Sequence, residues 1–347
     1  MAAQPTGWPY GLTRCFMQQK QTIFFKNKPR ITCGTAITGP KEHQGPLKDH
    51  FKHYLDDDRF GEKSYEKAEC KMMSFAINDC LKKAGLTDYD IDAVLAGDIL
   101  NQIISASFSA RGFSIPFLGQ YSACATFSQA LLLGAALTDG GYMNRVLAAT
   151  CSHFSTAERQ YRFPLELGNT RPPSSQWTVT AAGCSLISKT GKGPKITAAT
   201  VGKVIDFGID DANNMGAAMA PSVKETLVAL FNHTETKPAD YDMILTGDLG
   251  YLGSRLLKDL MWEKGLDISN NHKDCGVLIY NTKPDEYQGG SGAGCSAAVF
   301  NTYILDLFEK KKLNKIILTA TGALLSPTSS FQGETIPGIA HAVIIEK

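Results

Sequence analysis

The pattern of apolar positions is organised by one stretch, residues 115–137, in which a strand-like run bends sharply at Cys124 into a helix that is apolar nearly all round. Ser122, Ala123 and Ala125 are small enough for a tight turn. They set the sulfur at a helix N-terminus, where free N–H groups and the helix dipole favour a thiolate. That is one way to mount a nucleophile; the other reading is a buried structural cysteine. The spacing also predicts a helix over 64–84, with Tyr65, Ala68, Met72, Phe75 and Ala76 on one face and Gly85 as its stop. Short continuous apolar runs at 93–96, 146–149, 243–245 and 316–318 predict strands covered by helices on both faces.

These runs belong to an internal repeat. Asp88-Tyr-Asp-Ile-Asp-Ala-Val-Leu-Ala-Gly97-Asp98 recurs as Asp240-Tyr-Asp-Met-Ile-Leu-Thr-Gly247-Asp248. Likewise Asn144-Arg-Val-Leu-Ala-Ala-Thr150 matches Asn314-Lys-Ile-Ile-Leu-Thr-Ala-Thr321, and Arg30-Ile-Thr-Cys-Gly-Thr35 matches Lys195-Ile-Thr-Ala-Ala-Thr200. Cys124 precedes Thr150 by the same 26 residues that separate Cys295 from Thr321. The chain therefore reads as two copies of one α/β unit, 1–190 and 191–347. Packed through their helices, the copies would form five layers: helix, sheet, helix, sheet, helix.

Composition narrows the function. The 347 residues are 43% hydrophobic, enough for a large core, and 35 Lys+Arg against 34 Asp+Glu leave a charge of +1 with no basic patch for nucleic acid. Nine scattered cysteines without a C-x-x-C pair point to a reducing compartment rather than to disulfides or zinc. The first 20 residues lack the apolar block of a signal peptide, and no stretch approaches the 18 apolar residues of a membrane span. The expectation is a cytoplasmic chain.

Duplicated α/β halves with a cysteine on the first strand-to-helix turn and a Gly-rich turn in the second resemble the thiolase fold. More specifically, Ala96-Gly-Asp-Ile-Leu-Asn-Gln102, Ser155-Thr-Ala-Glu-Arg-Gln160, Leu245-Thr-Gly-Asp-Leu249 and Thr321-Gly-Ala-Leu-Leu-Ser-Pro-Thr328 resemble the stage V sporulation protein AD family. The resemblance implies a role in moving dipicolinic acid (pyridine-2,6-dicarboxylate) into the developing spore, with binding of that ligand. It also implies partners among the other stage V sporulation A proteins that form a membrane channel, peripheral association with the inner spore membrane through them, and a homodimer.

Thiolase-fold condensing enzymes need histidine, with asparagine or a second histidine, to stabilise a thioester enolate beside the thiolate. Initiating ketoacyl synthases carry Pro-His-Gln-Ala-Asn after the strand that corresponds to 243–245; here the run is Thr246-Gly-Asp248-Leu-Gly250. Thiolases carry Gly-His-Pro where this chain has Gly289-Gly290-Ser291. A carboxylate at Asp248 would repel an enolate and raise the cysteine pKa. The expectation is a degenerate enzyme without a cofactor, Cys124 being a vestigial nucleophile. His153, His272 and His341 remain as replacement histidines from other loops.

A flat dianion needs convergent donors. Arg159 and Arg162 are three residues apart, one face if the segment is helical; pairing of Arg159 with Glu158 or with the partner subunit is the alternative. Asn101 and Gln102 follow a strand end, where α/β folds place ligands. The candidate ligand residues are Cys124, Asn101, Gln102, His153, Arg159, Arg162, Asp248, Gly290, Ser291 and His341. No protein metal site is expected, although Asp98 and Asp248 are open either to helix capping or to the calcium that accompanies dipicolinate. The Gly289–Gly294 run lacks the lysine of a P-loop, and its glycines would let the second-half turn pack against the Cys124 turn. Three readings remain: a dipicolinate-binding protein without catalysis, a Cys124-dependent acyl-transfer or condensing enzyme, and a scaffold for membrane partners.

Overall fold

Residues 20–162, 165–168, 170–280 and 287–347 are described by a computed structural model. Residues 1–19, which hold Cys15 and most of the stretch read for a signal peptide, lie outside them. The first half contributes β1 (Thr22–Phe24), β2 (Arg30–Thr38), α1 (Tyr65–Ala84), β3 (Ala93–Gly97), α2 (Ile104–Ala110), β4 (Phe117–Gly119), α3 (Thr126–Asp139), β5 (Arg145–Ser152), α4 (Phe154–Tyr161), β6 (Trp177–Thr178) and β7 (Ala181–Ser188). The second half opens with β8 (Lys195–Thr200), α5 (Met215–Thr234), β9 (Met243–Thr246), α6 (Gly250–Trp262), β10 (His272–Asp274) and α7 (Cys275–Ile279). It continues through β11 (Gly290–Ser291), α8 (Ala293–Val299), α9 (Leu305–Glu309), β12 (Lys315–Ala323), α10 (Pro327–Phe331) and β13 (Gly338–Glu346).

The repeat governs the hydrogen bonding. The strand order β4-β3-β5-β7-β2 of the first half recurs as β10-β9-β12-β13-β8 in the second. Val94 stands opposite Leu147 as Ile244 stands opposite Ile317. Asp92 accepts from the Asn144 and Arg145 amides at 2.6 and 2.9 Å, and Asp242 accepts from Asn314 and Lys315 at the same distances. In one respect the sheets differ from two separate layers: Arg30 pairs with Lys195, so β2 and β8 join the ladders at one edge. The 190/191 division falls in the turn between β7 and β8.

Three apolar clusters fill the gaps between five layers. One lies between α1 and the first ladder, one between α5, α6 and the second, and the largest between the two ladders. In that middle layer α3 buries Phe127, Ala130, Leu131, Leu132 and Ala135, and α8 is buried along its whole length. An all-round apolar helix has no other place to go. Phe127 meets Phe300 there, ring centroids 5.8 Å apart.

Helix α1 begins and ends as its sequence requires. Ser64 caps the Lys67 amide at 3.3 Å, and Gly85 closes the helix in the left-handed region at φ 68°. Its buried face is rotated from the expected one, however: Tyr65 and Phe75 are half-buried, whereas Glu69 is fully buried. Glu69 turns inward, where Thr156 donates to it at 2.8 Å and the Cys151 thiol at 3.4 Å.

Replacing Phe127 by Ala should cost about 3–5 kcal/mol by leaving a cavity in the shared middle layer. Urea denaturation checks this, and a loss below about 1 kcal/mol would mean that the two ladders do not depend on α3 for their packing.

Candidate functional site

The Cys124 turn is built from local hydrogen bonds and one strained residue. Ala123 takes φ 49°, in the left-handed region that a non-glycine residue enters at a cost of about 1–3 kcal/mol. Thr126 Oγ1 holds the bend by donating to Ala123 O at 2.6 Å and accepting from the Ser122 amide at 3.0 Å. From the second half Gly322 abuts the turn so closely that a Cβ there would stand 2.4 Å from Ser122 O. Of the glycine run expected to pack there, Gly292, at φ 111°, instead lies against Ser152 and Thr178 and donates its amide to Asp248 at 2.8 Å; the close approach to the Cys124 turn is that of Gly322.

Asp248 faces Cys124. It is almost fully buried and also accepts from the hydroxyl of Thr321, while its own amide donates to Thr321 Oγ1 at 3.2 Å. Burial pushes its pKa from 3.8 up to about 7, although bonds from Thr321, Gly292 and the Cys124 thiol pull the other way. Burial, followed by the charge of Asp248, pushes the Cys124 thiol well above its ordinary value. A thiolate is therefore disfavoured, contrary to what the helix start alone suggests, because desolvation and a neighbouring anion outweigh the dipole of α3.

Of the other sequence-derived residues, Arg162 and Ser291 line the same small cavity as Cys124, about 50 Å³ in volume, together with Tyr121, Glu158, Tyr161, Met215 and Leu325. Arg159 does not line it. Helix α4 ends at Tyr161 and Arg162 is its non-helical cap, so the three-residue spacing no longer keeps the two arginines on one face. Arg159 instead pairs with Glu66 at 3.1 Å on the exposed side. Arg162 and Arg171 both pair with Glu158, which leaves one excess positive charge beside the cavity. The Glu158–Arg162 pair had a readable signal in its i,i+4 spacing.

Asn101 and Gln102 line a neighbouring vestibule of about 550 Å³, which shares Tyr121 and Leu325 with the cavity. Gln102 and Ile103 are held there at φ 55° and 46°, and buried Gln120 presents an oxygen with no hydrogen-bond partner among the described residues. Gly290 lies behind the cavity wall, its carbonyl bound by Gln176 at 2.9 Å.

None of the three candidate histidines lines the cavity. His153 caps α4 by accepting from the Ser155 amide at 3.1 Å, and its other ring nitrogen meets Asp58 O at 2.7 Å. His341 accepts from the Gly202 amide at 3.2 Å, which leaves its second nitrogen as donor toward Ser122, 3.4 Å away beside the turn. Burial lowers its pKa to about 4. His272 bonds Thr246 at 2.9 Å and is lowered to about 3. Asp98, the counterpart of Asp248 in the repeat, spends its two oxygens on the amides of Leu100 and Ala106 at 2.8 and 2.7 Å. It thus caps the start of α2. Among the described residues no group of three or more His, Cys, Asp or Glu is placed to hold a metal ion.

Residues 19–346 match the family described as stage V sporulation protein AD. A relative of that name from Bacillus subtilis (strain 168) is 45% identical over 328 residues, 94% of this chain and 97% of the relative. The chain belongs to the stage V sporulation protein AD family. Among solved structures it is similar to cerulenin-bound OleA from Xanthomonas campestris, with a TM-score of 0.61 and 11% identity over 94% of this chain and 100% of that one. It is also similar to 3-oxoacyl-(acyl-carrier-protein) synthase III from Aquifex aeolicus VF5, with a TM-score of 0.52 and 12% identity over 92% and 100% of the two chains. At such identities the likeness establishes the thiolase-like fold alone.

In this stage V sporulation protein AD family member, folded Asp248 keeps a proton up to about pH 7 that the unfolded chain gives up near 3.8. Its contribution to stability is therefore full below the lower value and is lost as pH rises through the upper one. Asp248→Asn should remove that dependence, so that melting temperature, variant minus parent, shifts in favour of the variant between about pH 5 and pH 8. A difference that does not change with pH would place the proton elsewhere. The same substitution takes the anion from Cys124, and alkylation of that cysteine by iodoacetamide, followed by peptide mass spectrometry, should quicken about three- to fourfold for each unit by which the thiol pKa falls, the gain in thiolate being partly offset by its lower nucleophilicity.

Proposed function

We propose that the protein binds pyridine-2,6-dicarboxylate without catalysis and supports its passage into the developing spore. The observation that carries the reading is Asp248 buried beside Cys124, where its charge opposes that of a thiolate. A condensing enzyme must stabilise an enolate beside its thiolate with neutral or cationic donors. Asp248 opposes the negative charge of both once it ionises, near pH 7, and no histidine among the described residues lines the cavity. What the site retains suits an anion. Arg162 offers a planar fork to one carboxylate, Asn101 and Gln102 offer amides at the vestibule, and Tyr121 supplies a flat apolar side between them.

The cavity beside Cys124 is far below the 300 Å³ or more usual for small-molecule sites, so the ligand would lie in the vestibule and reach only one carboxylate toward Arg162. Calcium, where it accompanies the ligand, would arrive on the ligand's own oxygens. No helix among the described residues is long and apolar enough to cross a membrane. On this reading the chain works as a homodimer in the cytoplasm, held at the inner spore membrane by stage V sporulation A proteins that form a channel.

Dipicolinate should raise the melting temperature, the stabilisation approaching about 2.7 kcal/mol near 100 times the dissociation constant. Benzoate, with one carboxylate, should do much less. Arg162→Lys should weaken the dipicolinate shift, and Arg159→Lys should not. Equal shifts by the two acids would overturn the ligand assignment.

A second reading, acyl transfer through Cys124, is favoured by the placement of that thiol on a strained turn at the cavity wall. It requires a covalent Cys124 adduct and sustained release of CoA from acyl-CoA. The expected result is neither, measured by intact-protein mass spectrometry and a thiol assay.

A further inference from the structure

The segments that close the Cys124 cavity carry a second feature on their outer side. One is the run 201–214 between β8 and α5, fourteen residues with no helix and no strand of its own; the other is 324–337, between β12 and β13, which contains α10. A run of that length without regular structure is uncommon in a packed domain and is usually functional. The two are tied into one cover: Ile205 and Gly338 exchange both backbone hydrogen bonds at 2.9 and 2.7 Å, the Ile336 amide donates to Ile209 O at 2.6 Å, and Thr335 donates to Asp206 at 2.5 Å.

Its inner side contributes Ala212 and Leu325 to the cavity wall, with Ile209 packed on the core of the second half. Its outer side leaves large apolar side chains in water: Val204 is 55% exposed, Phe207 58% and Phe331 89%. Val201 extends the row toward β1, where its amide meets Gln21 O at 2.9 Å and Ile23 and Phe24 are exposed as well. Within the two segments the exposed charges are mostly of one sign, Asp206, Asp210, Asp211 and Glu334 against Lys203; Lys20 and Lys26 are exposed only at the β1 end of the row.

We propose that this cover is a docking surface for a protein segment that presents apolar side chains flanked by lysine or arginine. Charge complementarity selects that occupant. An anionic lipid surface would meet four carboxylates. A second copy docking by the same face about a two-fold axis would set those carboxylates against one another. The inference does not depend on what the cavity holds.

The test uses the full chain and a dye-labelled amphipathic helical peptide of leucine and lysine, with a leucine and glutamate peptide of equal length as control, read by fluorescence anisotropy. The leucine and lysine peptide should bind and the control should not. Phe207→Ser with Phe331→Ser should weaken binding at least about tenfold, as loss of exposed aromatic anchors does at interfaces, with an unchanged unfolding midpoint. Asp210→Lys with Asp211→Lys should reverse the preference between the peptides. Absence of binding by the leucine and lysine peptide overturns the proposal, as does binding that survives the serine pair. So does co-flotation with anionic vesicles, or a self-association in sedimentation that the serine pair abolishes.

Discussion

Everything at the site depends on the burial of α3 between two ladders. An apolar helix with no polar face is held only where sheets cover it on both sides, and this fixes its first turn against the second half of the chain. Cys124 sits at that turn. Its surroundings therefore come from residues more than a hundred positions away: Asp248 after β9, Gly292 before α8, and Thr321 and Gly322 in β12.

That arrangement decides between two opposed effects on the thiol. The start of a helix stabilises an anion by typically a few tenths to one kcal/mol, and the effect fades within a turn. Loss of water and a neighbouring carboxylate act more strongly and in the opposite direction, since one pKa unit alone is 1.36 kcal/mol. A fold shared with a 3-oxoacyl-(acyl-carrier-protein) synthase is here combined with an environment that holds the proton on the Cys124 sulfur. Asp248 in turn keeps its own proton to about pH 7, so below that pH the two buried groups are both neutral.

The repeat shows how one scaffold diverges between its copies. Asp92 and Asp242 do the same work at the same distances, tying the loop before a central strand to its neighbour. Asp98 and Asp248, equally matched in sequence, do not. Asp98 closes the start of α2 with two backbone amides. Asp248 has the opposite half's Cys124 within reach. Asp98 thus stays with the α2 of its own half while Asp248 is turned to the other half, so the symmetry of the two units is broken where they meet.

The four central strands, the mostly apolar α3, the Gly85 stop of α1, the duplication and the exchange of histidine for Asp248 were legible in the sequence, because each rests on local periodicity or on a motif read within a few residues. Local patterning also exposed the Cys124 turn. The resemblance set Asp248 against the thiol, but the burial that raises the Cys124 pKa most arises only when the two halves pack. Tertiary structure alone separated Arg159 from Arg162, by ending α4 one residue before the second arginine. It likewise spent His153, His341 and Asp98 on backbone groups, turned Glu69 inward, and closed the cavity with the segments after β8 and β12. Helical and strand periods constrain neighbours in the chain; partners joined by burial are chosen only when the two halves pack, and sequence spacing carries no record of that choice.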